Sequence, residues 1–259
     1  VCSSDLTVFH RSVGGQATKV TGGLGYSQQL GRGSVIAHHL GLPTVSNFRQ
    51  ADIDAGGEGA PLVPIVDLCL LSHPQQARCV QNIGGIGNVT YLPAWNRQTQ
   101  GQPPTVLGWD TGPGNSLIDI AMTQLSAGTL TYDRDGLWAA QGTPCEALIT
   151  TWLDHPYFHL PPPKSTGREL FGWQYFQHCQ QMAHQRGLTA VDLVATLTQF
   201  TAATIVQSYQ QFLPALPEVM LVCGGGSQNP VLMAHLHTYL PGVTVVTTDA
   251  VGLSARYKE

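Results

Sequence analysis

The chain has 259 residues, 42% hydrophobic content, 11% charged residues and a formal net charge of −4. That length buries a sizeable core, as one large domain or two small ones. The twelve Lys and Arg are scattered without a run, which argues against a nucleic-acid-binding face. No apolar segment approaches a membrane span, and the N-terminus lacks a basic-then-apolar signal, so no membrane partner is expected.

Six cysteines, from Cys2 to Cys223, lie far apart without a C-x-x-C pair. They read as reduced core thiols of a cytoplasmic protein. His38 and His39 are adjacent, and His235 and His237 are two apart on a helical stretch, spacings that point side chains away from each other. Neither pair suggests a metal site, and no metal ligands are assigned.

Residues 7–75 mix short apolar runs with many glycines. Ser34 to Leu40 reads as a helix and Pro43 to Ser46 as a strand, followed by a turn-rich loop from Asn47 to Pro61. Long structured loops of that kind bind something more often than they merely connect. A domain boundary is expected near 73–78, giving a first lobe at 1–75 and a second at 76–259. Arg78 to Asn82 and Gly87 to Leu92 read as strands of a hairpin whose tip is Gly84-Gly85-Ile86-Gly87.

After a polar connector from Trp95 to Pro104, Thr105-Val106-Leu107 reads as the end of a strand. A glycine-rich turn follows, Gly108 to Asn115, and then an amphipathic helix to Leu125. Thr131 to Trp138 is a loop, Cys145 to Leu153 a helix and Pro156 to Gly167 a Pro-rich loop. Helices are expected at 170–186, 190–212 and 230–240, and buried strands at Val219 to Cys223 and Val243 to Thr247. Strands alternating with helices make the chain α/β.

Three glycine-rich turns each follow an apolar run: Asn82 to Asn88, the Asp110 turn, and Gly224-Gly225-Gly226 leading to Asn229 and Pro230. Glycine lets backbone approach a phosphate and aim N–H groups at it. None is a Walker loop or a G-x-G-x-x-G fingerprint, and each alone reads as an ordinary tight turn. Three in one chain, spread over two expected sheets, favour a nucleotide held between lobes. Asp110 would sit in its turn at the mouth of a helix, beside unpaired N–H groups that attract anions. There it would be ionised, with a pKa of about 4. Asp119 reads as a solvated or capping residue, and Asp133-Arg134-Asp135 as a local ion pair. Asp52 and Asp54 flank a loop aimed at the same region as Arg49, which is a candidate to clamp a carboxylate or phosphate.

The ordered set of motifs resembles a known family. They are Phe48-Arg49-x-x-Asp52 running to Pro64, Asn82-Ile83-Gly84-Gly85-Ile86-x-Asn88, Asp110-Thr111-Gly112-Pro113-Gly114-Asn115, Pro163-Lys164-Ser165-Thr166-Gly167-Arg168-Glu169, and Gly224-Gly225-Gly226-x-x-Asn229. Together they resemble anhydro-N-acetylmuramic acid kinase over residues 7–259, in wording most like cyanobacterial members. The resemblance implies the two-lobed actin-like ATPase fold of sugar kinases and heat-shock ATPases, ATP with Mg2+, a cytoplasmic role in peptidoglycan recycling, and room for a homodimer.

The implied reaction opens the 1,6-anhydro bridge of the amino sugar with water and phosphorylates O6. Under it Asp110 is the base. Arg49, Asp52, Gly112, Asn115 and Glu259 serve the sugar, and Asn82, Gly84, Gly85, Gly224, Gly225, Gly226 and Asn229 the nucleotide. Another sugar or acyl kinase of the same fold, or a module that only binds sugar or nucleotide, are the alternatives. The family's opening Gly-Thr-Ser-x-Asp-Gly loop and its final apolar helix have no counterpart here, so truncation at both ends is expected. Val1 to Leu6, which would be encoded by an adapter-like DNA string, is expected to be non-native.

Overall fold

The computed structural model describes residues 6–11, 26–55, 62–99, 101–256 and 258. Most of the adapter-like start, residues 56–61 of the glycine-rich loop, and Glu259 lie outside the described residues. The chain falls into two compact units, Val1–Val63 and Pro64–Glu259.

In the first unit, β1 (Leu6–Arg11) pairs antiparallel with β2 (Tyr26–Leu30). Then come α1 (Gly33–Leu40) and α2 (Phe48–Asp54). The expected strand at 43–46 is irregular, and the expected loop after Asn47 begins as a helix. Asn47 takes a left-handed φ of 64°, as Asn does readily, and turns the chain directly into Phe48-Arg49-Gln50-Ala51, which is free of glycine.

The second unit is a mixed α/β layer structure. Its sheet has the order β5-β4-β3-β6-β7, with β3 (Arg78–Ile83), β4 (Gly87–Leu92), β5 (Leu107–Gly112), β6 (Val219–Cys223) and β7 (Thr244–Thr247). β3, β4 and β5 run as an antiparallel meander, while β6 lies parallel to β3 and β7 to β6. Alternation along each strand sends Cys79, Ile83, Val89, Trp109, Met220 and Val222 to one face. There they pack on α8 (Ala190–Phe212) and α9 (Pro230–Tyr239). Val80, Leu92, Leu221 and Cys223 go to the other face with Leu68 and Leu71 of α3 (Val63–Leu71). That packing places α3, which precedes the expected 75/76 boundary, in the core of the second unit.

A third cluster joins α4 (Ser116–Leu125), α5 (Glu146–Leu153), α6 (Pro156–His159) and α7 (Trp173–Gln185) to the first half of α8. A complete capping box starts helix α8. Thr189 Oγ1 accepts from the Asp192 N–H, and the Asp192 carboxylate accepts from the Thr189 N–H.

Candidate active site

All three glycine-rich turns belong to this single sheet, not to two. The register sets Ile83 opposite Gly87, Gly87 opposite Gly112, and Asn82 opposite Cys223. The turns after β3, β5 and β6 therefore gather at one end of the sheet, which is where ligands meet open α/β sheets.

Their closeness requires glycine. A Cβ on Gly114, whose φ is +50°, would stand 2.5 Å from the Gly84 carbonyl oxygen and 2.8 Å from the Gly87 nitrogen. One on Gly226 would stand 2.4 Å from Ile83 Cγ2. The Asn115 N–H donates to the Gly84 carbonyl (2.8 Å) and the Ser116 N–H to the Gly85 carbonyl (3.0 Å), while Asn115 Nδ2 donates to the Ile83 carbonyl at 3.0 Å. Two of the N–H groups expected to be unpaired at the mouth of α4 are thus spent on the glycine hairpin.

Asp110 is also displaced from its expected setting. It lies within β5, paired with Asn88, because the strand runs on to Gly112 before the turn begins. The register then lines up Asp110, Asn88, Asn82 and Cys223 across four strands on one face. Asp110 Oδ2 accepts from Ser165 Oγ (3.0 Å) and from the Thr166 N–H (2.9 Å). Its own N–H donates to the Lys164 carbonyl (3.1 Å), and Tyr157 Oη donates to its carbonyl (2.7 Å). No described residue hydrogen-bonds to Oδ1. Burial raises the Asp110 pKa above the usual carboxylate value and the charge of Glu169 adds to that, against the lowering effect of Thr166 and Ser165. The expectation of an unshifted, dipole-stabilised carboxylate is therefore corrected. A carboxylate with a raised pKa and one free oxygen is a better proton acceptor near neutrality.

The segment that holds Asp110 is itself anchored by Lys164. Its Nζ sits 4.9 Å from the Tyr157 ring centroid and 4.5 Å from that of Phe212, and donates to the Tyr157 carbonyl at 3.3 Å. Desolvation lowers its pKa to about 8.

Beside these turns lies a cavity of about 670 Å3 whose lining includes Asn115, Asp119, Asp133, Gly225, Asn229 and Arg256. That volume suits a small organic ligand. Asp119, expected to be a solvated or capping residue, faces this cavity instead, and desolvation lifts its pKa to about 6 against the pull of Arg168. Asp133 makes no local ion pair with Arg134. It is buried and accepts from the Trp138 and Ala139 N–H groups, while Arg134 Nε donates to Tyr132 Oη at 3.3 Å. Asn229 lines the cavity but spends its Oδ1 capping α9, accepting from Val231 and Leu232 N–H.

The structure thus brings together Asp110, Asn82, Gly84, Gly85, Gly112, Asn115, Gly224, Gly225, Gly226 and Asn229. Arg49 and Asp52 are three residues apart on α2 of the first unit, a spacing that shares one helix face. Sequence reasoning gave no site role to Asn88, Ser165, Thr166 or Arg168, and read Asp119 as solvated or capping. The signal for Asn88 was strand register, and for Ser165 to Arg168 a motif quoted without a task.

A family model described as anhydro-N-acetylmuramic acid kinase matches residues 3–259. The chain is 57% identical over 257 residues to the anhydro-N-acetylmuramic acid kinase of Cyanothece sp., covering 99% of this chain and 66% of that one. It is 58% identical to that of Acaryochloris marina over the same shares. It thus spans about two thirds of the length of these curated relatives. Among solved structures it is similar, at 13% identity and a TM-score of 0.47, to an activator of the 2-hydroxyisocaproyl-CoA dehydratase from Clostridium difficile with bound ADPNP, covering 89% of this chain and 84% of that one. With the family model matching nearly every residue, the chain belongs to the anhydro-N-acetylmuramic acid kinase family.

Proposed function

We propose that the protein opens the 1,6-anhydro bridge of anhydro-N-acetylmuramic acid with water and phosphorylates O6 from ATP, in a two-lobed actin-like fold in the cytoplasm. The products are N-acetylmuramic acid 6-phosphate and ADP, and the role is recycling of cell-wall sugar. The observation that carries this reading is Asp110. It is a half-buried carboxylate with one oxygen held by two donors, set on the edge strand of the sheet, whose partner β4 starts from the Gly84–Gly87 hairpin tip.

In the reaction, Asp110 accepts a proton from water as the water oxygen bonds to C1 of the sugar. The C1–O6 bond breaks, O6 bonds to the γ-phosphorus, and the bond to the β–γ bridging oxygen breaks to release ADP. Ordinary glycoside hydrolysis needs a second acid to protonate the leaving oxygen. Here the phosphoryl group takes that oxygen, so one carboxylate suffices. Phosphoryl transfer is mainly alignment and charge stabilisation, a task for the backbones of Gly84, Gly85 and Gly224 to Gly226. Arg49, Asp52, Gly112 and Asn115 are assigned to the sugar.

Magnesium enters as the partner ion of the triphosphate, supplying charge neutralisation when bound. Such ions are held by one or two carboxylates plus phosphate oxygens and water. Asp119, a carboxylate on the cavity wall, is the residue of this chain suited to contribute.

Asp110→Asn tests the reading. It should lower turnover of anhydrosugar and ATP by at least about 10²-fold, the scale of a lost general base, and leave nucleotide affinity unchanged. In the unsubstituted protein the acid limb of kcat/KM should lie above the ordinary carboxylate range, because protonated Asp110 cannot act and burial raises its pKa. Turnover retained by the Asn variant would refute the assignment.

A further inference from the structure

The segment from Lys164 to Glu169 carries more than the donors to Asp110. Arg168 stands two residues beyond Thr166, and its guanidinium lies over the hairpin tip. A Cβ built on Gly85 would be 3.6 Å from Arg168 Nη2 and 3.8 Å from its Nε. Among the described residues Arg168 has no hydrogen bond and no ion pair, and its charge is felt at Asp119 on the cavity wall. The hairpin beneath it is polarised in a matching sense. The carbonyls of Gly84 and Gly85 point away into α4, accepting from Asn115 and Ser116, while no described group accepts from the N–H of Gly84 or Gly85. An unengaged planar cation above unengaged backbone donors is an arrangement that recognises phosphate oxygens.

We propose that Arg168 contacts the phosphate chain of the nucleotide over the Gly84–Gly85 turn, so that one short segment fixes both the proton acceptor and the phosphoryl group it works with. The inference rests on the reading of the site as a kinase centre and adds a catalytic residue to it. Ser165 and Thr166 hold Asp110 from one end of the segment. Arg168, at the other end, neutralises charge on the transferring group, and the Lys164 anchor between aromatic rings keeps the spacing.

The test compares the purified protein with Arg168→Ala and Arg168→Lys. Calorimetry measures binding of a non-hydrolysable ATP analogue and of adenosine, and product formation gives kcat at saturating ATP. Arg168 is exposed and its replacement removes no described hydrogen bond, so thermal unfolding should be unchanged. Arg168→Ala should weaken the triphosphate analogue by about tenfold or more, the scale of a lost charge-assisted hydrogen bond, and leave adenosine affinity intact. It should also lower kcat by at least about 10²-fold, somewhat less than arginines that serve other phosphoryl transfers. Arg168→Lys should restore affinity more than kcat, because a point charge lacks the planar fork.

Unchanged triphosphate affinity and kcat in Arg168→Ala would overturn the proposal, as would an equal loss of adenosine binding. The kinase reading fails separately, if the unsubstituted protein makes no phosphorylated sugar. The binding comparison still judges Arg168 in that case.

Discussion

Burial acts on Asp110 and Asp119 in the same direction, yet their surroundings give them different work. Asp110 is held by two neutral donors and has Glu169 as its charged neighbour, which leaves it a proton acceptor. Asp119 faces a cavity with Arg168 as its charged neighbour, which suits contact with a polar or cationic part of a ligand complex. Its shift carries a cost to folding whose sign follows from linkage. The folded pKa is about 6, above the value of about 4 expected for an unfolded Asp. The folded state therefore binds more protons between those limits, and stability falls as pH rises through them. Asp119→Asn removes that penalty. It should raise Tm relative to the unsubstituted protein at pH 8 and give no gain at pH 4. An equal gain at both would show that the carboxylate's charge is not the cause. The glycine setting that makes Asp110 a candidate site residue was legible in the sequence. Its strand position and raised pKa were not, because both depend on a segment 55 residues further along the chain.

At the scale of elements, the site is made by strand ends brought within backbone contact. Gly114 shows what this demands, since it combines a left-handed φ with a Cβ position 2.5 Å from a carbonyl oxygen. Gly187 has a φ of +72° and nothing within 4 Å of its Cβ position, so it isolates the conformational part. Gly187→Ala should cost about 1 kcal/mol and Gly114→Ala distinctly more, about 2–4 kcal/mol, in denaturant unfolding. Equal losses would mean that the hairpin yields to the extra methyl group. Patterns carried by local sequence were legible. β3, β4 and β6 were read from apolar runs, the stretches of α8 and α9 were expected to be helical, and Pro230 is a good first helical residue. What local pattern does not contain was missed. Joining three turns to one sheet required the β3–β6 pairing across more than a hundred residues. Helix α2 was hidden by the glycines that follow it, and β5 by the assumption that Gly108 ends a strand.

For the whole molecule, family membership and the second unit's geometry bear on one chemical claim: water and a phosphoryl group are added to the same sugar in one catalytic cycle. The composition argument against nucleic acid, the reduced thiols and the α/β class all concern the kind of protein, and none of them separates this reaction from phosphorylation of an ordinary sugar hydroxyl. Among the described residues Cys69, Cys79, Cys145, Cys179 and Cys223 form no disulfide, and no helix is long and apolar enough to cross a membrane. The distinguishing step of the proposed reaction is ring opening coupled to transfer, in which Asp110 is assigned to the water and the glycine turns to the phosphates. Mass spectrometry of the product formed by the purified protein from anhydro-N-acetylmuramic acid, ATP and Mg2+ tests it directly. The account predicts a sugar that has gained one phosphoryl group and the elements of one water, in equal amount to ADP and lost in Asp110→Asn. A phosphorylated sugar that keeps its anhydro bridge, or ADP released without any phosphorylated sugar, would contradict it.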